Sequence, residues 1–134
     1  MEPILLVHGY GSEQGTDIDR GGAVNIYGGL SSWLRREFSE NSVVEIDLGR
    51  YISLEDGIGI DDISRALDTA LKDTFPNLGR QTFHVVTHST GALIVRNWVR
   101  KFAGPRQPIR NLIYLAGANF GSGWAHIGSN RLAR

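Results

Sequence analysis

"FHVVTHSTGALIVRNW", Phe83 to Trp98, is the stretch on which the reading of the whole chain turns. A short β-rich run leads into a serine set among small residues, and a helical pattern follows in Leu93, Ile94, Trp98, Val99 and Phe102. A strand that turns sharply into a helix exposes the serine of the turn above the helix N-terminus, and its close neighbours must then be small. Gly91 meets that requirement, while Thr87 stands where the usual Gly-x-Ser-x-Gly pattern has its first glycine. The same residues also describe a serine that merely caps a helix. Ser89 is therefore a nucleophile or a cap, and the segments around it have to decide.

Outward from this stretch, short β-rich runs alternate with helical patterns. "ILLV" (Ile4 to Val7) is continuously apolar, as a strand covered on both faces should be. "SVVEIDL" (42–48), "TFHVVTH" (82–88) and "NLIYLAG" (111–117) are the other three strand candidates. Leu30, Trp33, Leu34 and Phe38 recur at helical spacing, and Ile63, Ala66, Leu67, Ala70 and Leu71 do so more clearly. Asp61 and Asp62 sit where they favour that second helix's N-terminus. Gly104-Pro105 stops the third helix. Strand–helix alternation with apolar strands predicts a parallel sheet flanked by helices, an α/β architecture.

The 134 residues fit one domain with a core of its own. Apolar residues make up 41% and charged residues 21%, a balance that excludes a disordered chain. The formal net charge of zero gives no footprint for nucleic acid. The absence of cysteine rules out disulfides and thiolate metal sites. No apolar run is long enough to span a membrane, and the start "MEPILLVHGY" lacks a signal peptide's pattern, so a cytoplasmic location is the default expectation.

In a parallel α/β sheet the working loops lie at the carboxyl ends of the strands. Three such ends here are marked by glycine: "VHGYGS" after the first strand, "THSTG" after the third and "AGANFGS" after the fourth. Their convergence on one sheet edge would make an active site, whereas each alone would mean little. The long polar connection from Gly9 to Gly29 opens on the same edge, and loops of that length are usually functional.

These segments, in this order, resemble the front part of an α/β-hydrolase, and within that superfamily the lipase and carboxylesterase type. "PILLVHGYG" is similar to the first core strand and its His-Gly oxyanion loop, and "FHVVTHSTGALIVR" to the nucleophile elbow. "NLIYLAGANFGS" is similar to the next strand and turn, with only Gly121 and Ser122 of the family's segment kept. The resemblance implies that Ser89 attacks an ester carbonyl and forms an acyl-enzyme. It implies an oxyanion hole from the backbone N–H groups of Tyr10 and Thr90, supported by His8, Gly9, His88 and Gly91. His8 and His88 are placed for support rather than for acid–base work, His84 lies within a strand, and His126 falls too early for the family's base.

The family order is serine, then acid, then histidine. From Thr90 to Arg134 there is no Asp or Glu, so the acid and base are expected beyond Arg134, and residues 1–134 are expected to be a single α/β-hydrolase-type domain incomplete on its C-terminal side. The substrate class implied is a small-molecule or lipid ester, with no cofactor, metal or nucleic-acid partner. A fourth strand at the sheet edge, the apolar face of the helix near 92–102 and Trp124 together predict self-association or marginal stability.

Two other readings compete. A non-catalytic binding module, or an inactive fragment on a hydrolase scaffold, needs the same fold without the chemistry. A dinucleotide loop at Gly9, Gly11 and Gly15 with Asp47 as ribose acid has its third glycine one residue late and no helix opening at the loop. "TDIDRGG" (16–22) lacks the closing Glu of a calcium loop and reads as a polar turn.

Overall fold

Ile4–Val7 is apolar at every position because both of its faces are covered, and it forms the central strand β1. The computed structural model describes residues 1–9, 27, 29–53, 57–77, 80–105 and 107–120. Along the chain follow α1 (Leu30–Phe38), β2 (Val43–Ile46), α2 (Ile60–Thr74), β3 (Phe83–His88), α3 (Gly91–Lys101) and β4 (Ile109–Leu115). The four strands are all parallel and lie in the order β2-β1-β3-β4. The chain thus steps from β1 to one side, then returns to the other. That reversal creates a switch point between the carboxyl ends of β1 and β3, where open α/β sheets place their ligands.

Alternation along the strands divides the apolar residues between two layers. Leu5, Val7, Ile46 and Val85 face α2 and α3 and close with Leu67, Leu71, Ile94 and Trp98 into the larger core. Ile4, Leu6, Val43 and Val86 meet Leu34 and Tyr27 on the opposite face. Fully burying one such side chain contributes about 1.5–3 kcal/mol, so the larger layer anchors the sheet. Asp61 and Asp62 stand in the first turn of α2, and the Asp62 carboxylate accepts the Gly59 N–H at 3.3 Å. Gly104 takes φ +70° just past α3, a left-handed conformation that suits glycine.

Element types agree with the sequence reading, and the strand bounds shift for local reasons. β2 is trimmed to Val43–Ile46 by 3₁₀ turns at Glu40–Ser42 and Leu48–Arg50, the second capped by Asp47 through Gly49 N–H. β4 begins and ends two residues early, because Ala116 adopts φ +48° and turns the chain out of the strand. Trp33 and Phe38 share α1's apolar pattern yet are exposed, since α1 packs through Leu34 and Ser31. The apolar face of α3 is covered, with Ala92, Ile94, Val95 and Trp98 all buried. It is β4 that leaves apolar surface open, at Ile113, Tyr114 and Leu115. Trp124 lies outside the described residues. No helix among the described residues is long and apolar enough to cross a membrane.

Candidate active site

At the switch point, β3 ends at His88 and α3 begins at Gly91, so the turn between them has only Ser89 and Thr90 to reverse direction. Ser89 makes the turn at φ +52°. A left-handed residue other than glycine costs roughly 1–2 kcal/mol and persists only where its surroundings impose it. The surroundings here are backbone. Ser89 N–H donates to Leu115 O at 3.1 Å, and Ser89 O accepts from Ala118 N–H at 3.2 Å and Ala92 N–H at 3.3 Å. The loop after β4 therefore grips the turn on both sides of its serine.

Two glycines let the turn sit against β1. A Cβ on Gly91 would lie 2.7 Å from Val7 O and 2.9 Å from His8 O. A Cβ on Gly9 would lie 2.9 Å from His88 O, 2.9 Å from Thr90 Oγ1 and 3.1 Å from Ser89 Cβ. The loop after β1 and the turn after β3 are thus in mutual backbone contact, and only glycine permits it at either position. The three strand ends singled out in the sequence do converge on one edge.

His8 is buried, with Nε2 3.3 Å from Leu48 N and Nδ1 2.8 Å from Gly9 O. A backbone N–H can only donate, so Nε2 accepts and Nδ1 carries the proton that it donates to Gly9 O. Both ring nitrogens are engaged in tying the Gly9 loop to the segment after β2. His88, half-buried, turns its ring to the edge of Tyr27, with centroids 6.4 Å apart at 74°. His84 faces away from this edge, beside Glu2 at 3.2 Å and Asn111 at 2.8 Å. Thr87 fills the position of the family's first glycine. It is fully buried, and its hydroxyl donates to Ile113 O at 3.3 Å, which absorbs the departure into the sheet.

Thr90 caps α3 in helical conformation, its side chain against Gly9. Tyr10 lies outside the described residues, as do Gly11, Gly15, the 16–22 segment, Gly121, Ser122 and His126. Among the described residues no group of three or more His, Cys, Asp or Glu could hold a metal ion. Asp47, weighed as a ribose ligand, is occupied locally by Gly49 N–H at 3.1 Å and Arg50 at 3.2 Å.

Tyr27 was not singled out by the sequence. Its hydroxyl donates to Val7 O at 2.6 Å and to Val86 O at 3.2 Å, joining the ends of β1 and β3. The available signal was an aromatic residue near the end of the long polar connection, just before α1, where a phenol can bury its ring and still reach a carbonyl. Burial pushes the phenol's pKa up strongly, with the charge of Glu45 acting in the same direction, so it stays a donor.

The arrangement is a strained serine at a helix N-terminus, locked against a glycine loop at a sheet switch point. A family model described as palmitoyl protein thioesterase matches residues 3–128. Among solved structures, the phospholipase PlaB from Legionella pneumophila superposes with a TM-score of 0.75 at 32% identity, covering 100% of this chain and 29% of that one. The same phospholipase in complex with thio-NAD gives a TM-score of 0.77 at 33% identity, covering 98% of this chain and 28% of that one. The chain thus spans less than a third of those phospholipase chains. Among curated proteins none matches.

Proposed function

This chain belongs to the palmitoyl protein thioesterase family and has the α/β-hydrolase fold, and from that premise we propose that it carries the nucleophile part of a serine hydrolase acting on a lipid acyl ester or thioester. The observation that carries the proposal is Ser89 at φ +52°, wedged between Gly9 and Gly91 at the switch point. A helix-capping serine has no need of a left-handed backbone, because capping uses extended dihedrals. A nucleophile on a tight elbow does need it, since the strain lifts the hydroxyl clear of the sheet.

In this reading Ser89 Oγ attacks the acyl carbonyl while a general base takes its proton. The carbonyl oxygen becomes an oxyanion held by Thr90 and Tyr10 N–H, each donor contributing roughly 3 kcal/mol in the transition state. Collapse expels the leaving alcohol or thiol, which receives the proton from the base, and the acyl group remains on Ser89. Water, deprotonated by the same base, then releases the fatty acid. The base and its acid partner belong to chain beyond Arg134, and residues 1–134 form one part of a single hydrolase domain. The open apolar side of β4 is where that domain continues or where a second copy pairs.

The test uses the protein expressed from its full natural reading frame, treated with a fluorophosphonate probe. Labelling is expected on wild type and absent from Ser89→Ala. Equal labelling of the two overturns Ser89 as nucleophile, and no labelling of either favours a non-catalytic binding module. Parallel assays on a palmitoyl-thioester peptide and on phospholipid vesicles separate the two acyl substrates.

A further inference from the structure

We propose that Tyr27 is a positioning residue: its hydroxyl sets the spacing between the Gly9 loop on β1 and the Ser89 turn on β3. The inference rests on the hydrolase reading above, and deepens it by adding a residue that touches neither substrate nor nucleophile.

A phenol has one proton to donate, and Tyr27 aims it between two carbonyls on neighbouring strands. The shorter bond goes to Val7 O, on the last residue of β1 and two residues before Gly9. The longer goes to Val86 O, three residues before Ser89. Val7 O is also the atom that lies nearest to where a Cβ on Gly91 would sit. One carbonyl is therefore met by the phenol and by the first residue of α3. A displacement of Val7 would carry Gly9 with it, and Gly9 has no slack against His88 O and Ser89 Cβ.

The device is well isolated from solvent. Tyr27 and Val7 are both buried, so a carbonyl deprived of the phenol would have no water to replace it. The Tyr27 ring also meets His88 edge-on, which ties its position to the residue just before the serine. A phenol at its ordinary pKa of 10 already keeps its donor proton at neutral pH, and burial acts in the same direction. Oxyanion donors act at the position where charge develops, so a shift of the loop by a fraction of an ångström lowers turnover without altering what the substrate's remote parts contact.

The experiment compares Tyr27→Phe with wild type in the full natural protein. Two readouts are taken: amide hydrogen exchange at Gly9, Ser89 and Thr90, and acylation kinetics normalised to sites titrated by the fluorophosphonate. Exchange at those amides is expected to rise about tenfold, with α2 amides unchanged. Turnover per titrated site is expected to fall about tenfold, with KM within about twofold of wild type. Unchanged exchange at Gly9 and Ser89, or unchanged turnover per titrated site, overturns the proposal. A uniform rise in exchange across α2 as well does the same, because it marks global destabilisation. If wild type fails to label, the hydrolase reading falls while the exchange comparison still judges Tyr27. Should Tyr27→Phe not fold, exchange is measured on Tyr27→Trp, whose ring N–H cannot take the hydroxyl's place against both carbonyls. Lost protection confined to Gly9 and Ser89 supports the proposal, and retained protection there overturns it.

Discussion

The two ends of the same four strands are built from different materials. At the amino edge, Glu2 gathers the Thr82 hydroxyl, Arg110 at 2.8 Å and His84 at 3.2 Å, and His84 in turn meets Asn111. These are long or polar side chains at partly or fully exposed positions, and each has rotamers to spare. At the carboxyl edge backbone meets backbone at Gly9, Gly91, Ser89, Leu115 and Ala118, and the buried rings of Tyr27 and His8 are held on backbone groups. The first kind of join tolerates change because a side chain can move or water can substitute. The second cannot, because its parts have no freedom left. An edge that must hold a reacting atom in place gains from the second kind, and an edge that only ties strands together does not need it.

That contrast is broken most sharply at Gly91. Gly91→Ala puts a methyl 2.7 Å from Val7 O, where no side-chain rotation relieves the clash. Loss of about 3 kcal/mol or more in urea denaturation is expected, together with loss of fluorophosphonate labelling. Gly9→Ala should be milder in stability, about 1–3 kcal/mol, since one of its three close neighbours is the Thr90 side chain. Its labelling should still be lost. A stable and fully labelling Gly9→Ala would mean that the two loops do not cooperate.

Ser89 gives the next, smaller effect, and of opposite sign. Its φ of +52° is free of strain for glycine but not for alanine. Ser89→Gly is therefore expected to be more stable than Ser89→Ala by about 1 kcal/mol, both lacking labelling. Equal stability of the two variants would show that the turn is relaxed, and the special status of this edge would be gone.

Much of this was legible because the fold is written in local patterns. The apolar runs of β1 and β3, the helical spacing of Ile63, Leu67 and Leu71, and the glycines at strand ends gave the α/β architecture and the converging edge. What was not legible depends on tertiary packing. Leu34 and Ser31 are buried while Trp33 and Phe38 are exposed, because which part of a helix's apolar stripe meets the sheet is settled by packing and not by spacing. Tyr27 escaped notice because its partners are carbonyls 20 and 59 residues away, and a carbonyl leaves no trace in a sequence. Thr87 looked like a defect in the elbow pattern until β4 supplied Ile113 O to receive its hydroxyl.

The amino edge supplies the smallest effect and the control for the others. Glu2 has its pKa held below the usual 4.5, chiefly by the Thr82 hydroxyl bond and also by the Arg110 charge, against an opposing desolvation. A carboxylate with a depressed folded-state pKa adds stability above its unfolded pKa, and that stability disappears as pH falls through the folded value. Asp61, depressed by its Lys101 and Asn97 contacts between α2 and α3, titrates in the same direction, so wild type alone cannot isolate Glu2. The difference between wild type and Glu2→Gln can. It should favour wild type slightly near neutrality and close as pH falls below the ordinary 4.5 and through the lower folded-state value, as followed by the urea midpoint. Labelling of Ser89 at neutral pH should be the same in both, because the sheet transmits nothing from a join whose side chains can rearrange. A Glu2→Gln protein with slowed labelling would show that the two edges are coupled, and the division between a tolerant end and an intolerant one would have to be abandoned.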